Sequence, residues 1–184
     1  MSLAIDPPSL AAQVVEGAAT QTLAEVTATP DSTAALFLRS LRAIRWGTAA
    51  RLIDDDTLDR FKTTARMMAA ADVSGEVSPY LVGLDSTALP ELTAAEVFER
   101  AVGTVIDDMP GLMHSIYDRD DEVLGHVREG ADTAHVVYRT TARLSGAVPE
   151  VKVMQLTRVD AGGWRVIWSD ELEILEAALR GVAR

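Results

Sequence analysis

The spacing of the apolar residues changes midway along the chain, and no other feature constrains the fold as strongly. Before Met109 the apolar side chains recur three and four residues apart, as in helices packed on a core. From Glu122 onward they alternate with polar side chains, as in strands that cover one face of a core. Helices followed by strands predict an α+β fold, with N-terminal helices packed on an antiparallel sheet.

Capping residues and glycines predict where the first helices begin and end. The stretch 29–33 is expected to cap a first helix whose apolar stripe runs to Ile44. Gly47 is expected to end this helix, and a second, short helix is predicted to carry residues 49–53. The acidic run 54–56 then favours the beginning of a third helix, because carboxylates are stabilised at helix N-termini.

The clearest helix signal lies later, where Thr93 and Glu96 match a capping box. Apolar residues follow at helical spacing until the Met-Pro-Gly sequence at 109–111 interrupts the pattern. Before this helix, residues 72–91 mix Gly, Ser and Pro with single apolar side chains, which predicts a loop packed partly on the body.

Turn residues divide the second half of the chain into four predicted strands. The last strand is expected to place its two tryptophans and Val166 on one face, and Ser169 with Asp170 is expected to cap a closing helix. The four predicted strands are 123–128, 133–144, 150–159 and 164–168.

The length of 184 residues suits one domain with a single core. Residues 1–29 are predicted to form an N-terminal arm or a marginal helix, because their apolar stripe is loose. Residues 30–184 are then expected to form a single α+β domain.

Charge and composition exclude several classes of function. A formal net charge of −11 argues against nucleic acid as a partner, because phosphate binding needs clustered Lys and Arg. No apolar run is long enough to span a bilayer, so we expect a soluble chain without a membrane span. Without cysteine and with three histidines, we expect neither a metal site nor a cofactor. The compartment stays open between the cytoplasm and export after loss of a signal peptide.

Two passages resemble a known superfamily. The helical corner from Leu38 to Phe61 and the segment from Leu156 to Trp168, which contains Gly-Gly-Trp-Arg-Val, are similar to the nuclear transport factor 2-like superfamily, which includes ketosteroid isomerase. The resemblance covers residues 31–170 and implies a strongly curved sheet that forms a cone around a pocket. It also implies a homodimer formed through the outer sheet face.

The candidate pocket residues are three aromatic side chains and one histidine. Tyr138 alternates with Val136 and Thr140 on a long strand, which makes it the best-placed phenol. His114 and Tyr117 are three residues apart after a helix break and could line a pocket mouth, whereas Trp46 could stack on a planar ligand. For each of them the alternative interpretation is a structural one, in the core or at the surface.

Two charged groups have a structural interpretation that we prefer. His135 and Arg139 could form a proton-transfer pair or a ligand clamp, but alternation places them opposite Tyr138, on a solvated outer face. The acidic run 118–122 offers oxygen ligands but lacks the glycine and spacing of a calcium loop. It is therefore expected to be a charged, solvated loop before the first strand.

The sequence contains no nucleophile elbow and no phosphate-binding or dinucleotide-binding glycine loop. The leading hypothesis is therefore a noncatalytic domain that binds a small apolar molecule or a protein and pairs through its sheet. The alternative is a cofactor-free isomerase, dehydratase or lyase that uses proton transfer in the cone pocket. A third hypothesis is a purely structural module whose cone is filled by its own side chains.

Overall fold

The computed structural model describes residues 27–71, 89–108, 116, 118–144, 146–159 and 163–181. It confirms the predicted α+β fold: helices come first, a curved four-stranded antiparallel sheet follows, and a helix ends the described chain. The elements are α1 (Pro30–Arg42), α2 (Trp46–Ala50), α3 (Asp55–Ala71), α4 (Ala94–Asp108), β1 (Arg119–Glu129), β2 (Thr133–Ala142), β3 (Glu150–Arg158), β4 (Trp164–Trp168) and α5 (Asp170–Gly181).

Helix α1 begins at the predicted cap. The Thr29 side chain accepts a hydrogen bond from the Ser32 backbone N–H, and the Thr29 N–H donates to the Ser32 hydroxyl. Pro30 suits the first turn, where a backbone N–H has no helical partner. The helix packs its apolar face, which includes the fully buried Phe37 and Leu41, against the sheet. Each such side chain contributes about 1.5–3 kcal/mol by leaving water.

The end of α1 differs from the prediction. The helix stops at Arg42 because Ile44 adopts a left-handed conformation, with φ of 58°. The Ile44 N–H donates to the Leu41 carbonyl, and the Arg45 N–H donates to the Ser40 carbonyl. This is a Schellman motif with isoleucine where glycine is usual, so the sequence gives no stop signal there.

Gly47 does not end α1 but lies inside α2. A Cβ atom there would come within 2.9 Å of a carboxylate oxygen of Glu99 on α4, which is the end of a flexible side chain that would have to shift. Helix α2 ends at Ala50, and the predicted helical residues Leu52 and Ile53 instead run beside β4. The Val166 N–H donates to the Leu52 carbonyl at 2.8 Å, which extends the sheet by one parallel bridge.

Helices α3 and α4 pack on each other as the sequence indicates. The capping box is present, because Glu96 accepts from the Thr93 N–H at 2.8 Å and Thr93 accepts from the Glu96 N–H. Phe61 of α3 and Phe98 of α4 meet edge to face with centroids 5.1 Å apart. The helical layer is thus fixed by aromatic side chains.

The sheet is a meander in the order β1-β2-β3-β4, with every pair antiparallel. Strand β1 begins at Arg119, so the prediction of a solvated loop over residues 118–122 was wrong. Residues 119–122 pair with the end of β2, where Arg119 lies opposite Ala142. The sequence hid this strand because its inward-facing residues are charged and not apolar. A bulge between Val123 and Gly125 then shifts the register of β1.

Strand β4 has the predicted bounds but not the predicted single apolar face. Trp164 and Val166 are buried, whereas Trp168 is 41% exposed. The register shifts between Gln155 and Leu156 of β3, so Trp168 lies beside Gln155 and leaves the core. Of the three tryptophans, Trp46 and Trp164 are therefore core residues and Trp168 is not.

Among the described residues before Pro30, Thr27 packs against the body. Thr27 is buried, and its carbonyl accepts a hydrogen bond from the Trp164 N–H at 3.1 Å. The N-terminal arm or marginal helix over residues 1–29 stays a prediction, because residues 1–26 lie outside the described residues. No helix in the described ranges is both long and apolar enough to cross a membrane.

Candidate functional site

The inner face of the sheet carries a polar cluster at the end where β1 begins. Antiparallel register places Asp121 opposite Thr140 and Val123 opposite Tyr138, and Tyr138 lies opposite Lys152 on its other side. Because alternate residues of a strand share a face, the polar side chains project toward the helices. Five residues form what we call the mouth cluster: Arg119, Asp121, Tyr138 and Thr140 of the sheet, and Glu171 of α5.

Glu171 enters the mouth cluster from the first turn of α5. Ser169 precedes this helix, and its hydroxyl accepts a hydrogen bond from the Leu172 N–H at 3.2 Å, as predicted for a cap. The position of Glu171 near the helix N-terminus favours its negative charge. Its side chain is 0% exposed, so every compensating interaction must come from the protein.

Two donors hold the Glu171 carboxylate. The Tyr138 hydroxyl donates to it, with oxygen distances of 2.8 and 3.0 Å, and Arg119 Nη2 lies 2.8 Å from Oε1. Arg119 Nε also lies 3.2 Å from Asp121 Oδ1. One buried guanidinium therefore serves two carboxylates, and removing it would leave both in a poorly solvated interior.

Burial changes the proton affinity of two members of the cluster. Burial, and then the charge of Glu171, raise the pKa of the Tyr138 hydroxyl far above its ordinary value. Burial also raises the pKa of the Asp121 carboxyl, while the Arg119 guanidinium and the Thr140 hydroxyl act in the opposite direction. Tyr138 is accordingly a hydrogen-bond donor at neutral pH and not a base.

A cavity of about 210 Å³, here called the mouth cavity, opens beside the cluster. Arg119 and Thr140 form part of its wall, whereas Tyr138 and Glu171 lie deeper and do not line it. Lys152 of β3 lines the other side of the cavity. Its Nζ atom lies 3.3 Å from a carboxylate oxygen of Asp170 and 4.0 Å from one of Glu150. The complete lining is Arg119, Thr140, Ala142, Val148, Glu150, Lys152 and Ile174.

Two buried oxygens of the cluster lack a hydrogen bond of good geometry within the described residues. They are Thr140 Oγ1 and Asp121 Oδ1. The Thr140 hydroxyl is near enough to the Asp121 carboxyl to lower its pKa. The contact between them falls short of good hydrogen-bond geometry. Thr140 is 6% exposed and also lines the mouth cavity.

Other clefts lie away from the mouth cluster. One of about 210 Å³ separates α1 from β1 and brings Arg39 and Arg42 to the other side of Asp121. Larger clefts of about 390 and 400 Å³ adjoin Asp54 near β4. Size alone would favour the larger clefts, but the buried charges and unsatisfied oxygens favour the mouth cavity.

The outer face of the same strands is organised differently. Glu129 lies 2.8 Å from His135, Glu122 lies 2.9 Å from Arg139, and each pair joins β1 to β2. These pairs place His135 and Arg139 opposite Tyr138, as the alternation predicted. Valines lie among them, three of them exposed and Val137 half-buried, and we call the following residues the outer valine patch: Val127, Val137, Val151 and Val153.

The structure places the four predicted pocket residues in different surroundings. Tyr138 lies in the mouth cluster, on the inner face as expected. Trp46 is buried on α2, next to Gly103 of α4, and does not line the mouth cavity. His114 and Tyr117 lie outside the described residues, so their role stays a prediction.

Sequence reasoning missed the charged partners of Tyr138. Arg119 and Asp121 were assigned to a loop, and Glu171 was not singled out in the closing helix. The alternation of Arg119, Asp121 and Val123 gave a period of two, but two charged residues in an inward row obscured it. The pairing of Tyr138 with Glu171 joins residues 33 apart in sequence, and no local pattern predicts it.

The acidic run 118–122 is divided between the two faces of β1. Asp120 faces out and binds Arg143 at 2.7 Å, whereas Asp121 faces in toward Arg119. Within the part of the chain that the structure describes, no three His, Asp or Glu side chains are gathered as metal ligands would be.

Comparison of the chain with protein-family models, with curated proteins and with solved structures finds no match. The functional assignment therefore depends on the geometry of the described residues.

Proposed function

We propose that this chain is a noncatalytic interaction domain that pairs with a second copy through the outer face of its sheet. The single observation that carries the proposal is the contrast between a filled interior and an outer face that exposes valines. As part of this proposal we retain the nuclear transport factor 2-like resemblance, whose members often pair in this way.

The filled interior favours binding over catalysis. Inner-face residues such as Val136 and Met154, and helix residues such as Phe37 and Phe98, are 0% exposed, which leaves no room for a water-sized molecule against them. Tyr138 is engaged by Glu171 and does not line the mouth cavity. Tyr138 therefore gives the alternative of an isomerase, dehydratase or lyase no support, and a small apolar ligand lacks interior space beside these described residues.

The outer valine patch supplies an apolar surface. Val127 is 66% exposed and Val151 63%, while Val153 is 40% exposed and lies directly opposite Val137. Gly125 pairs with Val137 on the other side and has open space above its Cα. A second sheet could approach the backbone there, because no side chain stands over that position.

Charge complementarity argues for a second copy as the partner. The acidic residues Asp120, Glu122 and Glu129 lie on β1. Their basic partners lie on β2 or just after it, at His135, Arg139 and Arg143. A two-fold axis that brings the two faces together can place the acidic row of one copy over the basic row of the other. The chain as a whole is acidic, so an unpaired acidic surface would repel its copy, whereas this mixed face does not.

Sedimentation equilibrium of the full chain tests this proposal. We expect the wild type to dimerise and Val153→Glu to be monomeric, because a carboxylate in an apolar interface is desolvated without a partner. Met67→Glu on α3 is the matched control, since Met67 is 66% exposed away from the sheet. Circular dichroism checks that both variants fold, and Val151→Glu replaces Val153→Glu if the latter does not.

Two results would overturn the proposal. One is a wild type that stays monomeric at every concentration. The other is a dimer that Val153→Glu and Val151→Glu leave as stable as Met67→Glu does.

A further inference from the structure

The wall of the mouth cavity carries more cations than carboxylates. Arg119 of β1 and Lys152 of β3 supply the two cations, and Glu150 at the start of β3 supplies one carboxylate. The Glu150 side chain is 70% exposed, so water screens its charge, whereas the Lys152 side chain is 16% exposed. The positive charge of the wall is therefore the less screened one, which favours an anionic ligand.

The Lys152 ammonium is loosely held by its carboxylate partners. Its Nζ atom lies 3.3 Å from an oxygen of Asp170 and 4.0 Å from one of Glu150. A charge-assisted hydrogen bond from an ammonium is shorter, at about 2.7–2.9 Å. An ammonium has three N–H donors, and both partners reach water, so a ligand oxygen can bind Lys152 without leaving either carboxylate unsolvated.

Arg119 contributes charge to the wall but is not assigned a bond to a ligand. Its guanidinium lies 2.8 Å from Glu171 and 3.2 Å from Asp121, and these contacts occupy it. Arg119 lines the cavity and these two carboxylates do not, so the nearest of the three charges is positive. Lys152 is therefore the residue that can bind an anion directly.

The apolar part of the wall suits a short alkyl chain. Ala142 ends β2, Val148 lies in the loop before β3, and Ile174 lies on α5. Val148 is 80% exposed, so a ligand that covers it removes apolar surface from water. A cation beside apolar side chains matches a molecule with a carboxylate at one end and an alkyl chain at the other.

We propose that the mouth cavity binds a small aliphatic carboxylate, whose charged group contacts Lys152 while its alkyl chain contacts Val148 and Ile174. The volume of about 210 Å³ is below the roughly 300–1,000 Å³ of pockets for drug-sized ligands, which limits the alkyl chain to a few carbons. The site lies on the inner face of the sheet and does not depend on the dimer proposed above.

The test is a titration of the ¹⁵N-labelled full chain with butyrate at constant ionic strength, followed by amide NMR shifts. Butylammonium and butanol, of similar size, are the cationic and neutral comparison probes. We expect saturable shifts at Ala142 and Ile174 with butyrate, at millimolar concentrations, and weaker or no shifts with the other two.

Two variants of the wall should change the affinity for butyrate in opposite directions. Lys152→Met removes the opposite charge and should weaken binding about fivefold, as expected for one charge about 4 Å away in water. Glu150→Gln removes an exposed like charge and should strengthen binding roughly two- to fivefold. Glu122→Gln makes the same change of net charge on the outer face, and as the control it should leave the affinity unchanged.

The gain in Glu150→Gln is the decisive result, because a lysine that serves only the fold would give no such gain. Tighter binding of butylammonium than of butyrate would overturn the proposal. Unchanged butyrate binding in Lys152→Met, or no saturable shift with any probe, would do the same. If Lys152→Met does not fold, Glu150→Gln decides alone, and an affinity no higher than that of Glu122→Gln would contradict the site.

Discussion

Asp120 and Asp121 are neighbours in sequence but lie on opposite faces of β1, and the two faces treat the same carboxyl group differently. Asp120 is exposed, and its hydrogen bond to Arg143 holds the pKa of that carboxyl below its usual value. Asp121 is buried, and burial raises the pKa of its carboxyl even though Arg119 is 3.2 Å away. For Asp121 the loss of water outweighs the attraction of a nearby guanidinium.

The same contrast extends to whole groups of charges. On the outer face of a single copy each acid has at least one base and also contacts water, with Asp120 contacting both Arg42 and Arg143, so losing one pair costs little. On the inner face Arg119 serves two carboxylates that water does not reach, so its loss affects the whole cluster. Inner-face charges therefore make the stability of this end of the sheet depend on single residues.

The largest expected effect is that of Arg119→Met. It should lower the free energy of unfolding by about 3–5 kcal/mol, because two buried carboxylates lose their counter-ion. Arg139→Met removes an outer-face guanidinium and should cost at most about 1 kcal/mol. Urea unfolding followed by circular dichroism measures both, and equal losses would contradict the distinction between the two faces.

Tyr138→Phe should have the next largest effect. It removes one of the two donors to the Glu171 carboxylate, which should cost about 1–3 kcal/mol. Glu171→Gln and the double variant complete a thermodynamic cycle. If the hydroxyl acts through Glu171, the double variant should lose less free energy of unfolding than the two single variants lose in sum. Full additivity of the two losses would argue against that pairing.

The smallest expected effect concerns pH and sharpens the comparison of the two aspartates. Because the folded pKa of Asp121 is raised, its contribution to stability is full below the ordinary value of about 3.9 and declines as pH rises through the folded value. Asp121→Asn should therefore remove a decline in melting temperature that sets in as pH rises above about 4.

Asp120→Asn should act with the opposite sign. The folded pKa of Asp120 is lowered, so its contribution is present above the ordinary value and is lost as pH falls through the folded value. This variant should melt at a slightly lower temperature than the wild type at neutral pH, and the difference should shrink in acid. Melting curves of both variants and the wild type across the same pH series check the two signs together.

Much of the fold could be predicted because its signals are local. The caps at Thr29, Thr93 and Ser169 each use side chains within three residues, and each is present in the structure. The bounds of β4 and the inward position of Tyr138 followed from alternation in the same way. The end of α1 could not be predicted, since Ile44 adopts a conformation that its side chain disfavours.

Much less of the candidate site could be predicted. Tyr138 was identified from its strand, but its partners come from β1 and α5, which are distant in sequence. Arg119 and Asp121 looked like surface residues because charged side chains are rarely buried without a partner. Only the presence of Glu171 and Thr140 on the facing elements makes an inward position acceptable for them.

The sequence by itself determined the order of helices and strands, most of the caps and the alternation of faces, because each depends on interactions within a few residues. The tertiary structure alone decided which charged residues are buried, since that depends on whether a distant chain segment supplies the compensating charge. It also decided that the interior beside Tyr138 is closed and that a polar cavity opens at its edge, where β1, β2, β3 and α5 meet.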